Sequence, residues 1–194
     1  MIGRYLTGDI SIRDIYKAMP WGNTIDTVTI DGRTLKEVLE HAVEKYDLNN
    51  MDPGGRFLQV SGLIVKYDVR RPPGQRLVSA HVGNPVSQTR KPIVDTEHYE
   101  IAVPSFLALG GDRFKMIPDH KIAYKNTGFL DNDLLEAYLR KNNPLQLPAA
   151  GRIVVISSEE TASSATRHFQ RLLAVTPIIS IIWTWVSSSL IYSA

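Results

Sequence analysis

The sequence predicts an α+β domain with a mixed sheet packed against helices, and three observations carry that prediction. Apolar residues recur at helical spacing through Leu35, Val38, Leu39, Ala42, Val43 and Tyr46. Residues 24–30 (TIDTVTI) alternate in the β-branched pattern of a half-buried strand. Helical and strand-like segments then mix along the chain without the regular βαβ rhythm of a doubly wound fold.

Taken in order, residues 11–19 (SIRDIYKAM) place Ile12, Ile15, Tyr16 and Met19 on one face of a short helix that Pro20 stops. The strand at 24–30 turns at Asp31-Gly32. Thr34 and Glu37 form a capping-box pattern at the head of the amphipathic helix, which is expected to run to about Asp47. The breakers at 49–55 (NNMDPGG) mark a loop. Residues 57–69 read as two strands, or one bent at Gly62. A turn at 70–76 (RRPPGQR) precedes a strand at 77–82, and residues 99–103 (YEIAV) form a short strand ended by Pro104. Asp131 is expected to cap a helix over Leu134, Leu135, Tyr138 and Leu139, ending near Asn142-Asn143-Pro144. Residues 152–156 (RIVVI) close the body as a strand.

Composition narrows the function. Of 194 residues, 43% are hydrophobic and 22% charged, and the formal net charge of +2 comes with no Lys/Arg cluster interleaved with aromatics. A nucleic-acid surface is not expected from such a chain. The absence of cysteine rules out a disulfide framework, a thiolate nucleophile and a Cys-based zinc site. The five histidines show no metal-ligand spacing, and Asp131-x-Asp133 lacks the glycine and terminal Glu of a calcium loop. No nucleophile elbow or P-loop occurs. No catalytic residue and no metal ligand is therefore assigned.

The end of the chain differs from its body. Residues 172–194 contain no Asp, Glu, Lys, Arg or His, and the span suits the hydrocarbon thickness of a bilayer. Small residues at Ser163, Ser164 and Ala165 precede a polar stretch at 166–171. Small-residue site, polar spacer and hydrophobic end are the parts of a glycosylphosphatidylinositol (GPI) attachment signal. The competing readings are a retained membrane helix and a buried core helix. A GPI signal requires entry into the secretory pathway, yet residues 1–9 carry no apolar run or small-residue cleavage site. The two ends are reconciled if the chain is the back part of a longer secreted protein. The expected organisation is a domain at 1–156, a polar spacer with the attachment site at 157–171, and a hydrophobic signal or anchor at 172–194.

Two turns carry residues suited to a ligand. Pro20-Trp21-Gly22-Asn23 joins a helix to a strand, and an aromatic there either caps the core or offers a flat face outward. In 104–112 (PSFLALGGD), Gly110 and Gly111 allow a tight backbone and place Asp112 at the loop's end. An exposed Phe106 beside that carboxylate would suit a nucleoside, the ring stacking on the base while Asp112 accepts from sugar hydroxyls. The same residues also fit a turn capped by Asp112 with Phe106 in the core.

Residues 8–43, 55–78 and 99–116 together resemble the C-terminal domain of the 5′-nucleotidase family, which includes ecto-5′-nucleotidases, salivary apyrases and bacterial UDP-sugar hydrolases. The resemblance implies that the domain holds the nucleoside, adenine type first, between two aromatics, matching Trp21 and Phe106, with Asp112 of Gly110-Gly111-Asp112 on the ribose. The family commonly carries Phe or Tyr where this chain has Trp21. The resemblance also implies a separate N-terminal metallophosphoesterase domain with a zinc-type two-metal site, which has no match in this sequence. No cofactor is then expected in this chain. The Asn-Gly-Gly-x-x-Arg-like segment of the family is absent, the flanks of Arg4 not aligning with it, and so is the cysteine pair some members carry near 81–87. Homodimerisation is left open. The expected protein is the nucleotide-recognising part of an extracellular, GPI-anchored nucleotide hydrolase, inactive alone. The alternatives are a non-catalytic nucleoside-binding module made as a short isoform, and a surface protein without a ligand.

Overall fold

Strand β1 (Ile25–Asp31) is the axis of the fold. In the computed structural model, which describes residues 9–49, 54–84, 86, 90–146 and 149–157, both faces of this strand are covered. Val28 and Ile30 face the main core, while Ile25 joins a smaller cluster with Ile15, Ala102 and Leu135. Strand alternation sends these two sets to opposite faces. The sequence expectation of a half-buried strand is thus corrected to a strand buried on both sides, because a helix packs on each face.

The elements run in the order α1 (Ile12–Ala18), β1, α2 (Gly32–Val43), β2 (Leu63–Asp68), β3 (Leu77–Val82), β4 (Lys91–Pro92), β5 (His98–Pro104), α3 (Ser105–Ala108), a 3₁₀ turn (Gly111–Arg113), α4 (Met116–His120), β6 (Ala123–Lys125), α5 (Asp131–Lys141) and β7 (Ile153–Ile156). They build two sheets. One is antiparallel, in the order β5-β1-β6; the other is mixed, in the order β4-β3-β2-β7, with β2 and β7 parallel. The α+β class expected from the sequence is the class observed.

Helix α2 supplies the largest apolar stripe. Leu35, Val38, Leu39, Ala42 and Val43 are all buried, as its periodicity predicts. Its start and end differ from expectation. Asp31, not Thr34, is the N-cap: its Oδ1 accepts from the Thr34 N–H at 2.8 Å, and the helix begins at Gly32 with no intervening turn. A carboxylate is a strong partner for an orphan N–H, so the Thr34–Glu37 capping box is not used. The helix also stops four residues short of Asp47. Arg76, almost fully buried, donates through Nη1 to the Val43, Glu44 and Tyr46 carbonyls at 2.6, 3.1 and 3.3 Å. A guanidinium serving the last carbonyls ends the helix in place of another turn.

Two further expectations are corrected. Residues 57–62 are not strand; Gly62 adopts φ 70°, and the strand of that segment starts after it, at Leu63. Asp131 is the first helical residue of α5 and Leu130 the N-cap; the Asp131 carboxylate serves the helix from inside its first turn, its Oδ1 accepting from the Asn132 N–H at 2.8 Å while its own N–H donates to the Asn23 carbonyl at 2.9 Å. Most of the loop at 49–55, the segment 1–8 with Arg4, the spacer beyond Ser157 with Ser163 and Ser164, and the apolar tail at 172–194 lie outside the described residues. Among the described residues, no helix is long and apolar enough to cross a membrane.

Candidate functional site

Three segments meet around the first residues of β1. The first is the turn after α1, where Gly22 takes φ 63° and Trp21 is left 77% exposed. Trp21 therefore does not cap the core; its indole is presented outward. The next residue but one, Asn23, ties the other two segments to this turn. Its carbonyl accepts from the Asp131 N–H, and its Oδ1 accepts from the Ser105 hydroxyl at 3.4 Å. The Ser105 N–H donates to the Thr24 carbonyl at 2.7 Å. Burial pushes the Asp131 carboxyl above its ordinary pKa.

The second segment follows β5. Pro104 ends the strand, and the single helical turn α3 buries Leu107 and Ala108 while leaving Phe106 48% exposed. Phe106 is thus not a core residue. Its ring lies flat against Gly111: a Cβ on Gly111 would stand 2.5 Å from two ring carbons. Glycine is required there by close approach, and Gly110 by its left-handed φ of 88°. After Gly111 the chain turns left-handed again at Asp112 (φ 49°) and Arg113 (φ 68°), two non-glycine residues where that conformation is unfavourable. The turn leaves the Asp112 side chain exposed. Phe106, Gly111 and Asp112 therefore form one unit, joined to the Trp21 turn through Ser105 and Asn23.

The third segment, 126–130, is fastened to the first residues of β1. Thr127 Oγ1 donates to the Ile25 carbonyl at 2.5 Å, and the Ile25 N–H donates to the Phe129 carbonyl at 2.9 Å. Asp26, fully buried on β1, accepts from the Tyr124 hydroxyl at 2.6 Å. That bond raises the Tyr124 phenol above its ordinary pKa. Phe129 is left 63% exposed beside it.

Sequence reasoning missed the residues that hold the Asp112 turn. His41, on the last turn of α2, has Nε2 3.1 Å from the Asp112 carbonyl oxygen, and its ring meets Phe114 edge-on at 4.7 Å. Glu44 Oε2 lies 3.3 Å from His41 Nδ1, and Arg56 Nη1 donates to the same Glu44 oxygen at 2.9 Å. Only the i, i+3 spacing of His41 and Glu44 was visible in sequence. The contact with Asp112 spans seventy-one positions and leaves no local signal. Among the described residues, no group of three or more His, Cys, Asp or Glu side chains stands together to hold a metal ion.

Residues 3–119 match the family model described as 5′-nucleotidase, C-terminal domain. The chain belongs to the 5′-nucleotidase family. The 5′-nucleotidase of Bos taurus is 35% identical over 176 residues, covering 89% of this chain and 29% of that protein. An apyrase of Tabanus yao is 38% identical over 151 residues, covering 77% of this chain and 27% of that protein. Among solved structures, a 5′-nucleotidase precursor from Thermus thermophilus superposes with a TM-score of 0.70 at 31% identity, covering 78% of this chain and 28% of that one. The chain thus spans less than a third of the length of these 5′-nucleotidases and apyrases, and it corresponds to their C-terminal domain.

Proposed function

We propose that this chain recognises the nucleoside part of a nucleotide for a 5′-nucleotidase or apyrase whose phosphate-ester cleavage is carried out by a separate metal-binding domain. One observation carries the reading. Two large aromatics, Trp21 and Phe106, are held exposed on turns that are hydrogen-bonded to each other, and a carboxylate, Asp112, follows directly on the glycine beneath the Phe106 ring. Soluble domains bury most of the surface of such side chains, so exposure enforced by a glycine bed and an Asn–Ser link argues for a ligand that covers them. Stacking on each ring would contribute about 1–3 kcal/mol, and Asp112 would accept from the ribose hydroxyls. The divalent metals of the reaction would polarise the phosphoryl group in the other domain. The residues described here do not form such a site, and no catalytic step is assigned to them.

The adenine nucleoside is the first ligand to test, and the apolar end at 172–194 with Ser163 or Ser164 supports attachment to the outer face of the plasma membrane through a GPI lipid. Calorimetric titration of the full chain with adenosine is expected to give saturable binding, weakened by about 5- to 150-fold in Phe106→Ala. No binding at millimolar adenosine, or an unchanged affinity in Phe106→Ala, would overturn the assignment. The chain alone is expected to leave AMP intact with zinc or manganese added; metal-dependent turnover would place the chemistry in residues not credited with it.

A further inference from the structure

We infer that His41 is a positioning residue for the Asp112 carboxylate, acting through the Asp112 backbone; this rests on the nucleoside reading above. Asp112 and Arg113 both hold positive φ, 49° and 68°, without the freedom of glycine. Such a turn persists only where its surroundings over-determine it. Within the turn, the Phe114 N–H donates to the Gly111 carbonyl at 3.0 Å, and the buried Phe114 ring anchors the exit. A hydrogen-bonding contact from outside the turn comes from His41, whose Nε2 stands 3.1 Å from the Asp112 carbonyl. A carbonyl accepts only from a protonated nitrogen, so the Nε2–H form of the ring is the one that serves the turn.

The same nitrogen has a competitor. Arg56 Nη1 lies 2.9 Å from His41 Nε2, and Arg56 can donate to that nitrogen only when it is bare. The proton on Nε2 therefore selects between two arrangements: His41 donating to Asp112, or Arg56 donating to His41. Glu44 Oε2 accepts one of the two Nη1–H bonds of Arg56 at 2.9 Å, which leaves a ring carrying the Nε2 proton free to donate to the Asp112 carbonyl. His41 and Arg56 are largely shielded from water, with side chains 14% and 12% exposed, so the donor side of this contact is held by packing while Asp112 itself is exposed. Moving this carbonyl rotates the peptide to which the carboxylate is attached, and hence the direction in which Asp112 offers its oxygens. His41 touches no substrate in this arrangement; it sets the aim of a residue that does.

The test compares two ligands that differ only where Asp112 would act. The full chain and its His41→Phe and His41→Gln variants are titrated with adenosine and with 2′,3′-dideoxyadenosine. Phenylalanine keeps a ring against Phe114 but has no donor; glutamine restores an N–H of similar reach. Adenosine affinity is expected to fall by about fivefold in His41→Phe and to recover in His41→Gln, with dideoxyadenosine affinity unchanged throughout. Equal losses for both ligands would show a general packing role and overturn the inference, as would an unchanged adenosine affinity in His41→Phe. Should neither variant fold, the ring ¹⁵N spectrum of the unaltered chain decides: a protonated Nε2 supports the inference and a bare Nε2 overturns it. If the unaltered chain fails to bind adenosine, the nucleoside reading falls first and takes this inference with it. A chain that binds adenosine but ignores His41 overturns the inference alone.

Discussion

Gly111→Ala isolates the contribution of the Phe106 face without touching the ring itself. The Cβ it introduces would lie 2.5 Å from Cε1 and Cζ of Phe106 and 2.6 Å from Cδ1. Carbon atoms rest at about 3.5–4.0 Å, so the ring must retreat by about 1 Å or rotate away. Gly111 itself does not use a left-handed φ, so alanine adds no backbone strain and the collision is the whole perturbation. Because Phe106 is half-exposed, it has open space into which to move, and the stability loss should fall at the low end of overpacking, about 1 kcal/mol, or a melting shift of about 2–4 °C. Binding should suffer more. A displaced ring forfeits most of its stacking, about 1–3 kcal/mol, equivalent to about 5- to 150-fold in adenosine affinity. Calorimetry on Gly111→Ala, Phe106→Ala and the double variant reads this directly. The double variant should bind no worse than Phe106→Ala alone, since the alanine acts only by moving the ring. A Gly111→Ala chain that binds adenosine as tightly as its parent would refute the reasoning, and so would additive losses in the double variant.

The scaffold makes its own predictions. At Gly32 a Cβ would stand 2.0 Å from the Val94 carbonyl oxygen and 2.7 Å from its carbon, and backbone cannot step aside. Gly32→Ala should therefore cost about 3 kcal/mol and lower the melting temperature by about 6–12 °C; an unchanged melting curve would contradict the contact. Asp68 accepts from Arg70 Nε at 2.8 Å and Nη2 at 2.9 Å, and these hydrogen bonds hold its pKa at about 2. A carboxyl whose folded pKa lies below its unfolded value of about 3.9 contributes its full stability above that unfolded value. The contribution is lost as pH falls through the folded pKa. The stability gap between the parent and Asp68→Asn, read by urea unfolding, should be constant from pH 7 to about 5 and shrink from there to pH 2. A gap that persists undiminished at pH 2 would rule out the ionised pair as its source.

What could be read from the sequence divides along the range of the interactions involved. The stripe of α2 was legible because a helix announces its buried face every three or four residues, and all five apolar positions from Leu35 to Val43 are buried. The glycine pair before Asp112 was legible as a tight turn because only glycine is cheap at φ 88°. Helix ends were less legible. Asp31 and Thr34 compete for the same start within three residues, and the choice depends on Gly32 fitting beneath the Val94 carbonyl, sixty-two residues away. The short elements α3, α4, β4 and β6 span two to five residues each, too few for a period to show. The exposure of Trp21 and Phe106 could not be decided from the chain either, since aromatics in turns cap cores as readily as they face water. The deciding contacts, Ser105 to Asn23 and His41 to Asp112, each join positions more than seventy residues apart.

The two aromatic faces are not equivalent, and the difference follows from how each is held. Phe106 sits on the first turn of a helix, bedded on Gly111, with buried Leu107 and Ala108 beside it. One face of its ring is bedded before any ligand arrives. Trp21 is 77% exposed on a turn whose hinge, Gly22, has open space where a Cβ would stand. Its backbone is fixed by Asn23, but nothing among the described residues beds its ring. Stacking of a base on Phe106 would then cost little ordering, whereas stacking on Trp21 would be offset by about 0.5–1.5 kcal/mol for ordering the side chain. In the proposed nucleoside site, a floor at Phe106 and an adjustable cover at Trp21 would admit bases of different size while keeping the ribose end in register. Discrimination would then concentrate at Asp112, on the rigid side, where the strained turn and its contact with His41 already localise the structural constraint.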